Sequence, residues 1–137
     1  MLTKYDPERA PDPQRWLAED DQTKHSIVER FHRRAGIRIP NPRLHAIIHV
    51  VVENQVAMGD ETPVAEAVAR LMGEGLSRHD AIHAVGSALS RHLFSAVKGE
   101  TAPDADLGEA YFADVRKLTK QAWYDEHADE TEPADGA

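Results

Sequence analysis

Three stretches of this chain open on a helix-starting pair and close on glycine, and that punctuation confines it to a stack of short helices. Asn41-Pro42, Thr62-Pro63 and Ser77 with Asp80 three residues on are the openings. In each, a short polar side chain can accept from an unpaired N–H of the first turn. Proline has the backbone angle that the first helical position needs, and Asp80 sits where a capping box places its acid. Gly59, the pair Gly73 and Gly75, and Gly99 stand at the closings, where a left-handed residue commonly ends a helix. Between them, PRLHAIIHVVVENQVAM, PVAEAVARLM and SRHDAIHAVGSALSRHLFSAV carry apolar residues at helical intervals. Upstream, Ile27, Val28, Phe31 and Ala35 have the same spacing, with Asp20 or Asp21 as cap and Gly36 as stop. Downstream, LGEAYFADVRKLTKQAW sets Leu107, Tyr111, Val115, Leu118 and Trp123 near one face. No strand-like alternation persists. The expected fold is all-α: a small antiparallel helical bundle of four sizeable helices plus one short helix.

A length of 137 residues suits one domain with its own core. Residues 1–15, with Pro11 and Pro13, are expected as a loose N-terminal arm whose end Trp16 and Leu17 pin to the body. The bundle should span 16–124. Asp125, Glu126, Asp129, Glu130, Glu132 and Asp135 crowd the final stretch, so 125–137 is expected as a disordered acidic tail that carries much of the net charge of −8. No apolar run approaches the roughly 20 residues of a membrane span, and the start has no signal-peptide core. A cytoplasmic protein with no membrane partner is expected. The chain has no cysteine, which excludes disulfides, thiolate metal sites and thiol catalysis. Arg30, Arg33, Arg34, Arg38 and Arg43 cluster from the end of the first predicted helix through the connector that follows it. A helix C-terminus attracts such charges without a partner. With an acidic chain and no interleaved aromatics, nucleic acid is not the expected ligand.

Any metal must then be held by nitrogen and oxygen, and the chain has eight histidines. Four of them pair at intervals of four: His45 with His49 and His79 with His83. Glu53 extends the first row by one more step. Four residues advance about 6 Å along a helix and nearly complete a turn, so both rings of a pair can reach one ion. His45 and Glu53 begin about 12 Å apart, so the third group would serve a second ion or orient a ligand. The second pair lies in the first turns of its helix, where the dipole disfavours imidazolium and leaves the neutral form that metals bind. The metal-ligand candidates are therefore His45, His49, Glu53, His79 and His83, with Glu53 also the candidate catalytic base. Glu29 and His32 form a Glu-x-x-His step of the kind used in di-iron bundles, but no second copy exists. They stand second to the others, and a salt bridge or a dipole contact is the expected role of His32. Asn54 and Gln55 are expected to satisfy core polar groups. His92 is too far along its helix from His83 to share an ion.

RLHAIIHVVVENQ and SRHDAIHAVGSALSRHLF resemble the bacterial family known as domain of unknown function 1841. Its pattern is a His-x-x-x-His helix followed by glutamate and glutamine, an Asp-x-Pro stretch, and a helix opening on His-(Glu/Asp)-x-x-His. Here these are His45, His49, Glu53 and Gln55, then Asp60 to Pro63, then His79, Asp80 and His83. The resemblance implies a small helical fold and a repeated histidine pattern, with no assigned activity. The expected function is a metal-binding bundle, as a metal-dependent hydrolase or di-metal protein using one His-x-x-x-His pair from each of two helices. Its cofactor would be a transition metal, zinc or iron first. The competing expectation is a non-enzymatic interaction module with packed histidines, in which a homodimer completes a core poor in aromatics.

Overall fold

A computed structural model of the chain describes residues 2–37, 41–100 and 107–126. Among these residues every regular element is helical. In order they are α1 (Pro13–Ala18), α2 (Asp21–Arg34), α3 (Pro42–Ala57), a 3₁₀ turn (Gly59–Glu61), α4 (Val64–Gly73), α5 (Arg78–Val97), α6 (Leu107–Lys117) and α7 (Lys120–Glu126). Three of the four predicted starts are used; Thr62 does not cap α4, whose N-cap position is Pro63 with no side-chain cap bond. Asp20 accepts from Thr23 N, Asn41 from Leu44 N and Ser77 from Asp80 N. Gly36, Gly59, Gly75 and Gly99 all have positive φ at the closings.

Two details differ from expectation. A short helix, α1, is capped by Asp12, with Pro13 opening it. It buries Trp16, whereas Leu17, expected to help pin the chain, is 46% exposed. Six residues place one large side chain inward, and Trp16 fills that position. The final helix is also broken in two. The Arg70 guanidinium donates to the carbonyls of Val115, Arg116 and Leu118, which satisfies the end of α6. Thr119 then caps α7 through Ala122 N.

The core has two parts with α3 between them. Val52 of α3 joins Val64, Val68 and Leu71 of α4, Ala81, Ile82 and Val85 of α5, and Tyr111 and Val115 of α6. Ala46 and Val50 of α3 join Ile27 and Val28 of α2, Trp16, and Tyr5 from the N-terminal segment. The segment expected as a loose arm therefore contributes to the core: Tyr5 is 6% exposed and Pro7 is fully buried. Tyr5 and Pro7 have hydrogen-bonding partners on α3 and α5, and Arg30 of α2 donates to the Thr3 carbonyl. Packed on both sides, α3 explains why its sequence is apolar almost all round. Of the expected tail, Asp125 and Glu126 end α7. Its remaining residues, from His127 on, lie outside the described residues, as does Arg38 of the arginine cluster. No described helix is long and apolar enough to cross a membrane.

Candidate metal centre

The two faces of α3 decide what its histidines meet. Stepping by three and four from Ala46 gives His49, Val50 and Glu53, all buried. The matching stripe of α2 is Lys24, Ile27, Val28 and His32. The first turns of α5 bring His79 and His83 to the same place, each half-buried. Five imidazoles meet there. Ring centroids lie 4.2 Å apart for His79 and His83, 4.6 Å for His32 and His45, and 4.8 Å for His45 and His49. They are 4.9 Å apart for His49 and His83 and 5.0 Å for His45 and His83. One ring nitrogen from each of His32, His45, His49 and His83 lies within 4.8 Å of the others. His79 stands at the edge of this group, 5.4 Å from the ring of His49 and 5.6 Å from that of His32.

The proton positions follow from the partners. His32 Nδ1 is 2.9 Å from the Val28 carbonyl, which can only accept, so Nδ1 carries the proton and Nε2 is left as a lone pair. The Tyr5 hydroxyl lies 2.6 Å from Glu53 Oε2 and 3.1 Å from His49 Nδ1. Its single proton goes to the carboxylate, so His49 Nδ1–H donates to the tyrosine oxygen. His49 Nε2 then faces the cluster as an acceptor, 3.0 Å from His83 Nε2. Among the described residues, Nε2 of His32, His45 and His79 is buried with no hydrogen-bond partner.

Burial disfavours the protonated form of four of these rings, His32, His45, His49 and His79. Burial lowers the pKa of His45 to about 4, with help from His32 and His79. His49, 1% exposed, is lowered much further by burial and then by His83 and the other rings. Burial also lowers His32, against the opposing Val28 bond. For His79, burial outweighs the opposing charges of Glu8, Asp80 and Asp6.

Glu53, expected as a ligand or general base, sits one layer behind His49 with both oxygens engaged. Arg78 donates to Oε2 and Oε1 at 2.8 Å each and to the Pro7 carbonyl at 3.0 Å, and Tyr5 donates to Oε2. Burial acts to lower the pKa of Arg78, but the hydrogen bonds and charge of Glu53 reverse this and raise it. The Tyr5 hydroxyl is held well above its ordinary range by burial and then by Glu53. Glu29 does not join the histidine group. Asn54 accepts from Trp16 Nε1 and Lys24, and Gln55 accepts from Tyr111, so both satisfy polar groups inside the fold. His92 pairs with Asp114 at 2.6 Å, away from the cluster.

The four expected histidines thus come together, and three further residues join them. His32 lies four residues after buried Val28, on the same helical stripe, which is the signal that could have raised its rank. Arg78, next to the Ser77 cap, carries no pattern that marks it as buried. Tyr5 is 44 positions from its partner His49, and no local pattern reports such a contact.

The sequence pattern of a family described as a domain of unknown function (DUF1841) matches residues 11–126. Neither a curated protein nor a solved structure matches the chain.

Proposed function

The chain belongs to the domain of unknown function 1841 family, and on that footing we propose that it is a metal-binding protein, holding one transition-metal ion between α2, α3 and α5 through His32, His45, His49 and His83. The observation that carries this reading is that two of these four rings, His32 and His45, each bury a nitrogen without a partner, as does the adjoining His79. Each buried polar group without a partner costs about 1–3 kcal/mol. Three such groups gathered in one place are expensive for a small fold to keep, unless a ligand satisfies them.

The donor chemistry fits a cation of the zinc or ferrous type. Imidazole nitrogens suit these ions, and neutral rings are the form that binds. Nitrogens around a tetrahedral ion lie about 3.4 Å apart when metal–nitrogen distances are about 2.0–2.1 Å. The 3.0 Å separation of the His49 and His83 nitrogens is close to this, and the widest pair, at 4.8 Å, needs only an inward movement of the rings. His79 stands where a fifth nitrogen could enter. A ligand histidine usually donates its other N–H to an oxygen, which fixes its orientation and raises its basicity. His32 does so to Val28, and His49 does so to Tyr5 with Glu53 behind it. Glu53 is therefore assigned as a positioning residue acting through Tyr5, since both of its oxygens are already engaged. A bound ion would supply Lewis acidity to a group entering beside His45 and His83.

Cobalt titration of the chelator-treated protein tests this. The expected result is one equivalent bound, with the visible bands of a low-coordinate nitrogen site, and loss of those bands in His49→Ala and His83→Ala variants that retain their helical circular dichroism. If bands do not appear and zinc leaves the melting temperature unmoved, the reading is wrong.

A further inference from the structure

The metal reading accounts for four of the five clustered histidines but not for the cleft beside them. A cavity of about 800 Å³ runs between α3, α5 and α7. Its inner end is formed by His45, His49 and His83, and its walls by Leu44, Ile48, Ile82, Phe94 and Trp123. That volume lies in the range of small-molecule sites, and apolar walls with a few convergent polar groups are the usual make-up of one. The polar groups at its inner end are three of the four proposed ligand rings, with Asp80, Arg91 and Glu126 among the other lining residues. Leu44 is 38% and Phe94 52% exposed, so these two walls are large apolar side chains left in reach of solvent, while Ile82, 1% exposed, backs the cleft from the core.

Charge selects the head group. The proposed ligand set supplies no negative charge of its own to a divalent ion, and the acids that act on the cluster, Glu8, Asp6 and Asp80, do so at His79 on its edge. The nearest buried carboxylate, Glu53, is committed to Arg78. Along the cleft, Arg91 and Glu126 pair with each other at 2.6 Å, which leaves Asp80 as the other acid lining it. Asp80, in the first turn of α5, supplies one negative charge near a dication, and a monoanionic fifth ligand would supply a second.

We propose that the cleft binds a small monocarboxylate with an apolar tail, its carboxylate on the ion beside His45 and His83 and its tail against Leu44, Ile48 and Phe94. This rests on the metal reading above.

Octanoate and acetate, titrated into the cobalt-loaded full chain, test it. Octanoate should shift the cobalt bands at a concentration at least about tenfold lower than acetate does, because only its tail reaches the walls. In Ser87→Trp, which fills the cleft from α5, and in Phe94→Ala, which removes an exposed wall, cobalt should still bind and the octanoate advantage should shrink. Equal potency of the two acids, or cobalt bands that neither acid moves, would overturn the cleft assignment and leave the metal site standing. Octanoate quenching of tryptophan fluorescence at the same concentration with and without metal would also overturn it, since the ion would then contribute nothing. Failure of cobalt to bind at all would remove both proposals.

Discussion

Tyr5 decides which nitrogen of His49 is available. Its hydroxyl can donate once, and the carboxylate of Glu53 takes that proton at 2.6 Å. His49 must then protonate at Nδ1 and present Nε2 to the cluster. Tyr5→Phe keeps the ring and its packing but releases the tautomer. Metal affinity should fall roughly 10–100-fold, the range seen when such supporting partners are removed. Stability should fall by about 1–3 kcal/mol, because Glu53 and His49 each lose a buried partner. A competition titration against a chelator and a urea melt separate the two effects. Unchanged affinity would mean that Tyr5 serves packing alone.

The same rings predict how the metal-free protein responds to acid. His45, with an ordinary value of 6.5, is lowered to about 4 when folded, and His49 is lowered further by burial. Below pH 6.5 the unfolded chain takes up protons that the folded chain refuses. The contribution of these rings is thus fully present above about pH 6.5 and declines as pH falls toward 4 and below. At buried His49 the slope approaches about 1.4 kcal/mol per pH unit. Urea midpoints of the metal-free protein should drop between pH 7.5 and pH 5, with a shallower drop in His45→Gln. A flat profile would place these rings in water rather than in the core.

Among the elements, α3 and α5 approach most tightly at Gly86. A Cβ built there would lie 2.9 Å from Cγ2 of Ile48. Ile48 is β-branched and stiff at χ1, so it cannot swing aside cheaply. Gly86→Ala should therefore push the two helices apart and cost about 1–3 kcal/mol, despite alanine's better helix propensity. Because His45 and His49 come from one of these helices and His79 and His83 from the other, metal affinity should fall with it. A thermal melt together with a cobalt titration checks both, and a stabilised variant with full affinity would contradict the packing argument.

Helix starts and stops were legible because they are local: Asn41, Ser77 and Gly59 act within a few residues of themselves. The break between α6 and α7 was not, because Arg70 on α4 supplies the donors that end α6. The burial of the N-terminal segment was hidden for the same reason, since what holds Tyr5 and Pro7 lies on α3 and α5.

For the molecule as a whole, the candidate site could be read where it repeats and not where it is singular. The two His-x-x-x-His steps marked α3 and α5 as its sources. His32 had no repeat to mark it, and Glu53, though in register with the row, turned out to face Arg78. Three helices contribute to the site, so an ion there would tie α2, α3 and α5 together. Binding at 1,000 times the dissociation constant would add about 4 kcal/mol to stability.

Elemental analysis of the protein, purified without a histidine tag or a nickel column and then reconstituted with zinc or ferrous iron, tests the central claim most directly. The account predicts close to one transition-metal ion per chain, lost in His49→Ala. Less than a tenth of an equivalent in the reconstituted wild type, or an unchanged content in His49→Ala, would contradict it. The five histidines would then be packing residues of the core.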